Sequence, residues 1–119
     1  MKKKNIKKPK LLEKEIQKQI KTYLEYNKWK CYRINNGGTY NAKAKAFVFH
    51  GTAGVSDLLA IKEGYPILFL ECKRKGGVIS DAQKKFVEAI KGSQNGWAEI
   101  VYSLEEVEVF IKELNKHYK

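Results

Sequence analysis

Apolar residues recur at helical spacing near the start of the chain, and this spacing predicts a first helix. The helix begins after Leu11 and ends near Asn27, with Leu12, Ile16, Ile20, Tyr23 and Leu24 on its apolar side. Two further helices are predicted where a serine is followed by Gln or Glu three residues later, as in a capping box. These starts are Ser80-x-x-Gln83 and Ser103-x-x-Glu106.

Short apolar runs between turn residues predict the strands. They cover residues 29–34, 58–61, 67–73 and 97–102, and the third is so continuously apolar that both of its faces should be buried. Residues 39–53 stay ambiguous, with a short strand at Phe47-Val48-Phe49 as one interpretation. The order α-β-(β)-β-β-α-β-α predicts an α/β fold, a small mixed β-sheet flanked by helices.

Composition sets the limits of this fold. A chain of 119 residues predicts one domain, here residues 10–119, preceded by a basic disordered arm at 1–9. No apolar run approaches the ~20 residues that span a membrane, and no apolar segment follows the lysines at the start, so we expect a cytoplasmic protein without a membrane partner. Cys31 and Cys72 do not make a disulfide framework.

The positive charge is unevenly distributed. The net charge is +11, and residues 1–10 hold six lysines and no acid. Residues 28–75 hold nine Lys or Arg against three acids. In residues 11–27 and 76–119 the numbers of basic and acidic residues are nearly equal. Such a surface attracts a polyanion such as nucleic acid. The alternative is a lysine-rich composition that serves solubility.

Two carboxylates and a lysine are placed where they can do chemistry. If strands 58–61 and 67–73 pair antiparallel, Asp57 and Glu71 come to the same end of the sheet. Glu71 and Lys73 share a face and Cys72 points the other way, because side chains alternate along a strand. Hard carboxylate oxygens suit Mg²⁺ or Mn²⁺. The alternative is a strand cap at Asp57 with solvated charges at the strand edge.

Four segments in this order resemble the PD-(D/E)xK nuclease superfamily and, within it, the VRR-Nuc family, which is related to the Holliday-junction resolvases. They are Glu13-x-x-Ile16-Gln17, Cys31–Asn35 before a glycine turn, Gly54-Val55-Ser56-Asp57, and Glu71-Cys72-Lys73 with Ser80-Asp81-Ala82-Gln83. The resemblance implies a restriction-endonuclease-like core (α-β-β-β-α-β) and metal-dependent cleavage of DNA. The metal ligands would be Asp57, Glu71 and the backbone carbonyl of Cys72, with Lys73 as the catalytic lysine. Ser56 stands where the family often has proline.

Two further site residues have competing interpretations. The resemblance implies an active-site glutamate on the first helix, and Glu13 is favoured because Ile16, Gln17 and Ile20 share its face, whereas Glu15 lies further round. Glu13 is otherwise an ordinary acid of a first helical turn. The family also places a glutamine near the active site, which matches Gln83, although Gln83 equally fits a capping box.

The combined interpretation is a metal-dependent DNA endonuclease with Mg²⁺ or Mn²⁺, selective for junctions, flaps or nicked DNA rather than for a base motif. A compact domain of this kind often works as a symmetric homodimer. Two alternatives are a non-catalytic nucleic-acid-binding module and a sequence-specific restriction-type endonuclease. The predicted DNA contacts are Lys2, Lys3, Lys4, Lys7, Lys8, Arg33, Arg74, Lys75 and Lys84.

Removal of residues 1–9 should weaken DNA binding and flatten its salt dependence, yet leave the melting temperature nearly unchanged. The segment carries five lysines and little apolar surface. Each lost phosphate contact lowers the slope of log affinity against log salt by about 0.9 for duplex DNA. Binding titrations at several salt concentrations measure this slope. An unchanged slope would show that the arm does not contact DNA.

Overall fold

The structure is a computed structural model that describes residues 11–34, 38–49 and 54–118. Its first helix, α1 (Glu13–Tyr26), forms where the helical spacing predicts it and buries Ile16, Ile20 and Leu24. These three side chains lie four residues apart, so they form one stripe along the helix. The predicted end near Asn27 is confirmed, since Asn27 is the C-cap residue.

Six strands lie in the described ranges. They are β1 (Lys30–Arg33), β2 (Gly38–Asn41), β3 (Ala46–Phe49), β4 (Leu58–Ile61), β5 (Ile67–Cys72) and β6 (Gly96–Val101). The main sheet has the order β1-β4-β5-β6, in which β1 and β4 pair antiparallel, β4 and β5 pair antiparallel, and β5 and β6 pair parallel. The mixed sheet predicted from the sequence is therefore confirmed.

The ambiguous segment contains a hairpin. β2 pairs antiparallel with β3 in a separate two-stranded sheet, so the strand considered at 47–49 is present and has a partner at 38–41. The side-chain oxygen of Asn41 accepts hydrogen bonds from the backbone N–H groups of Lys43 and Ala44 and so stabilises the turn between the two strands.

The other two helices are α2 (Asp81–Lys91) and α3 (Leu104–His117). At α2 the predicted capping box is complete, with Ser80 and Gln83 each accepting the other's backbone N–H. At α3 only half of the predicted box forms. The Ser103 hydroxyl accepts from the N–H of Glu106 at 3.3 Å, but the Glu106 carboxylate accepts from the N–H of Tyr102 instead of Ser103.

The helices cover both faces of the main sheet. One buried cluster joins α1 and α3 to the side of β5 that carries Leu68, Leu70 and Cys72. On the opposite side Phe69 meets Phe86 of α2, with ring centroids 5.4 Å apart, and α2 also packs against β6. In the described part of the chain no helix is long and apolar enough to cross a membrane. This arrangement leaves the ends of β4 and β5 between α1 and α2.

Candidate active site

Asp57 and Glu71 meet at one end of the β4–β5 pair. Leu58 lies opposite Leu70, so the residue before β4 and the penultimate residue of β5 are brought side by side, as the strand–turn–strand prediction requires. Their carboxyl groups lie close enough for each to shift the pKa of the other. The backbone N–H of Cys72 donates to Oδ2 of Asp57 at 2.9 Å and fixes that carboxyl group.

Burial makes this carboxyl pair electrostatically costly. Glu71 is only 3% exposed. Burial, reinforced by the neighbouring charge of Asp57, raises the pKa of Glu71 to about 8, although Lys73 opposes the shift. Burial also raises the pKa of Asp57, against the N–H of Cys72 and the charge of Lys73, which lower it. Near neutral pH the pair therefore holds a proton unless a cation takes its place.

Gln83 joins the α2 capping box to the carboxyl pair. Its Nε2 donates to Oε1 of Glu71 at 2.7 Å, while its Oε1 accepts the backbone N–H of Ser80 at 2.9 Å. The two interpretations of Gln83 from the sequence were a helix cap and a residue near the active site. In the structure the same side chain completes the helix cap and contacts Glu71.

Lys73 and Glu13 form an ion pair beside the carboxyl pair. Their charged groups are 3.7 Å apart, and the Lys73 side chain is only 14% exposed. The preference for Glu13 over Glu15 agrees with this placement, because Glu15 is exposed and lines a groove with Lys18 and Gln19.

Glycines bring neighbouring backbones close to the site. A Cβ on Gly54 would lie 2.5 Å from the carbonyl oxygen of Ala82, so the loop before Asp57 is pressed against the first turn of α2. A Cβ on Gly77 would lie 3.4 Å from Oε1 of Glu13. Gly77 was not among the site residues predicted from the sequence. The signal that could have marked it is the double glycine Gly76-Gly77, which follows Lys73 after two intervening residues.

Ser56 stands at the position where the VRR-Nuc family, which the sequence resembles, often has proline. Its side chain is fully buried, and among the described residues its Oγ has no hydrogen-bond partner. A buried unpaired hydroxyl costs about 1–3 kcal/mol. The proline that the family often has at this position would leave no hydroxyl unpaired.

The donor atoms at the carboxyl pair fit a hard divalent cation. Asp57 and Glu71 supply oxygen ligands, and Mg²⁺ commonly binds one or two carboxylates together with waters and phosphate. The thiol of Cys72 points into the core, where burial raises its pKa above the ordinary value, so only its backbone carbonyl is suited to the ligand role implied by the resemblance. Within the described ranges no group of three or more His, Cys, Asp or Glu side chains gathers.

The predicted DNA contacts fall into two groups. Arg33, Arg74, Lys75 and Lys84 are exposed, at the end of β1, in the turn after β5 and in the first turn of α2. Arg33 lies opposite Leu58 in the sheet, next to the strand end that carries Asp57. The remaining five (Lys2, Lys3, Lys4, Lys7 and Lys8) lie outside the described residues.

Comparison with known proteins identifies the fold. No protein-family model and no curated protein sequence matches the chain. A solved structure described as a VRR_NUC domain is similar, with a TM-score of 0.63 and 21% sequence identity over 84% of this chain and 94% of the other. The predicted resemblance to the VRR-Nuc family is thereby confirmed at the level of the fold.

Gly54→Ala should destabilise the protein more than Gly76→Ala. Both glycines have φ near +85 to +89°, so a side chain costs about 1–2 kcal/mol at either position. A Cβ at Gly76 meets nothing within 4 Å, whereas at Gly54 it collides with Ala82. The collision should cost about 1–3 kcal/mol more. Urea unfolding of the two variants measures the difference, and equal losses would show that the close approach is not a constraint.

Without metal, the free energy of unfolding should fall as pH rises from about 4.5 to about 8. The folded protein keeps a proton on Glu71 that the unfolded chain releases over this window, since the pKa of Glu71 rises from 4.5 to about 8 on folding. One such proton gives a slope of up to about 1.4 kcal/mol per pH unit.

Urea unfolding in EDTA at several pH values measures this slope, and Mn²⁺ should raise stability most at the upper end of the range. Glu71→Gln is the control, because it removes the titrating group and should flatten the curve. An identical slope in the variant would contradict the assignment of the raised pKa to Glu71.

Proposed function

We propose that this chain, which has the fold of a VRR_NUC domain, is a metal-dependent DNA endonuclease that hydrolyses phosphodiester bonds. The observation that carries the proposal is the closeness of half-buried Asp57 and buried Glu71 to each other and to Lys73. A buried and a half-buried carboxyl group with raised pKa values form a cation site more readily than a structural contact, since a structural contact is less costly with neutral residues.

The residues around the pair have distinct tasks in this proposal. Asp57 and Glu71 hold the cation with the backbone carbonyl of Cys72. Lys73 lies close enough to lower the pKa of both carboxyl groups, so its ammonium can also hold the attacking water or stabilise negative charge on the phosphate. Glu13 orients Lys73 through their ion pair, and Gln83 orients Glu71.

A bound Mg²⁺ or Mn²⁺ would supply the Lewis-acid chemistry that polarises a phosphoryl oxygen and makes water a nucleophile at neutral pH. The cation also solves an electrostatic problem, because a phosphate and two carboxylates repel one another. The proposed reaction therefore needs a further positive charge between substrate and site, since Lys73 supplies one unit against two acids.

DNA is the proposed substrate because the chain carries a net charge of +11. Arg33, Arg74, Lys75 and Lys84 are exposed and can contact phosphates near the site, together with the lysines of residues 1–9. Phosphate contacts position a protein on DNA without reading its sequence. We therefore propose selection by DNA structure, with junctions, flaps or nicked duplex as substrates, and a homodimer as the form that makes paired cuts.

A cleavage panel tests this proposal. Duplex, single-stranded, flap and four-way-junction DNA are incubated with Mg²⁺, Mn²⁺ or EDTA, and the products are separated on denaturing gels. Metal-dependent cuts that follow the branch point support the proposal. Binding without cutting in any metal would identify a non-catalytic module, and cuts that follow a base motif would identify a restriction-type enzyme.

Asp57→Asn should abolish cleavage and leave DNA binding similar or tighter. The change removes a metal ligand and a negative charge near the phosphate, whereas the amide oxygen can still accept the N–H of Cys72. The control is Asp81→Asn, the same change at the chain's other aspartate, which is exposed. This variant should cleave DNA at the normal rate. Cleavage by Asp57→Asn at the unmodified rate would disprove the metal assignment.

Lys73→Ala should lower the cleavage rate by about 10²-fold or more and preserve Mn²⁺ binding. A positioned cation acts on the transition state, while the carboxyl groups that hold the metal remain. Calorimetric titration with Mn²⁺ and single-turnover cleavage separate the two effects. Lys112→Ala, at an exposed position of α3, is the control. Loss of metal binding together with rate would give Lys73 a structural role.

A further inference from the structure

The first turn of α2 contacts Glu71 directly and the loop that leads to Asp57. Gln83 donates to Glu71, and Ala82 lies against Gly54 in the loop that leads to Asp57. We propose that the backbone N–H of Ser80 selects the orientation of the Gln83 amide, which makes Ser80 a positioning residue for Glu71. The effects on catalysis and on metal binding rest on the proposed function, but the effect on the Gln83 amide and its contact with Glu71 does not.

The argument starts from the two unlike ends of an amide group. One end is an oxygen that accepts, and the other is an NH₂ group that donates. The N–H of Ser80 donates to Oε1 of Gln83 at 2.9 Å, so the oxygen is held toward the helix start. The NH₂ end must then face Glu71, where it donates at 2.7 Å. The flipped amide would set two oxygens against each other and leave the Ser80 N–H without its acceptor.

The capping box thus does more than begin the helix. The Ser80 hydroxyl accepts the N–H of Gln83 at 3.1 Å and holds its backbone, while the Ser80 N–H holds its side chain. A side chain held at both ends keeps Glu71 in one orientation. Partners of this kind orient ligands, and their loss commonly costs 10- to 100-fold in metal affinity or activity.

Substitutions at Ser80 separate these two roles. Ser80→Ala removes the hydroxyl and keeps the N–H. Ser80→Pro removes both, and the φ of −74° at this position is one that proline adopts. The matched control is Ser103→Ala at the start of α3, because the Ser103 hydroxyl caps a helix in the same way, and the acid three residues later contacts Tyr102 rather than the site.

Two readouts need no DNA. In metal-free Ser80→Ala and Ser103→Ala, the NMR chemical shifts of the Gln83 side-chain NH₂ should match those of the unsubstituted protein. In Ser80→Pro they should move to the chemical shifts of a free glutamine. Mn²⁺ affinity, measured by calorimetry, should fall about tenfold in Ser80→Pro and stay within about twofold in the two alanine variants. The alanine variants should lose similar amounts of melting temperature.

If Ser80→Pro does not fold, amide exchange at Ser80 supplies a second measurement. The Ser80 N–H should exchange slowly in the unmodified protein and in Gln83→Glu, whose carboxylate can still accept it, and quickly in Gln83→Ala. Fast exchange in the unmodified protein would overturn the inference, as would Ser80→Pro matching Ser80→Ala in both readouts.

Cleavage kinetics then distinguish the inference from the proposed function. A tenfold lower kcat with an unchanged KM in Ser80→Pro supports the positioning role. Cleavage by Ser80→Pro at the rate of Ser80→Ala would overturn that role and leave the nuclease proposal intact. Failure of the unmodified protein to cut any substrate would defeat the nuclease proposal, while the NMR results would still decide the role of Ser80.

Discussion

The contact between the carboxyl groups of Asp57 and Glu71 is the constraint on which the rest of the site depends. The antiparallel pairing of β4 and β5 forces the contact, and burial makes it unfavourable for both groups to be charged. Three neighbours oppose this cost, namely the N–H of Cys72, the amide of Gln83 and the ammonium of Lys73. They do not cancel it, since both pKa values stay raised, and the remaining cost favours a bound cation.

The positive net charge of the chain and the acidic residues of the site have opposite effects on the proposed DNA substrate. A net charge of +11 favours the proposed DNA substrate, yet in the proposed reaction the phosphate must approach two acids. Protons or a bound cation must therefore neutralise part of the negative charge of the two carboxylates before a phosphate can approach. The site is also assembled from unconnected elements, because α1 brings Glu13 to Lys73, α2 brings Gln83 to Glu71, and Gly54 lets α2 lie against the loop before Asp57.

Much of the site could be predicted because it depends on neighbours in sequence. The turn between β4 and β5 is short, so the meeting of Asp57 and Glu71 follows from antiparallel pairing. Gln83 was harder, since one residue type serves a helix cap and a carboxyl contact, and the sequence does not reveal that it does both. At Ser103 the sequence has the residue types of a capping box, but the Glu106 carboxylate accepts the backbone N–H of Tyr102 rather than that of Ser103.

The sequence by itself determined the helices, the strands of the main sheet, and the pair of carboxyl groups at one sheet end, because helical period, strand alternation and turn chemistry act over a few residues. Tertiary structure decided which glutamate of α1 meets Lys73, that the Gln83 amide reaches Glu71, and that Gly54 touches Ala82. These contacts join residues 12 to 60 positions apart. Their distances depend on how helices pack on the sheet, which no local pattern specifies.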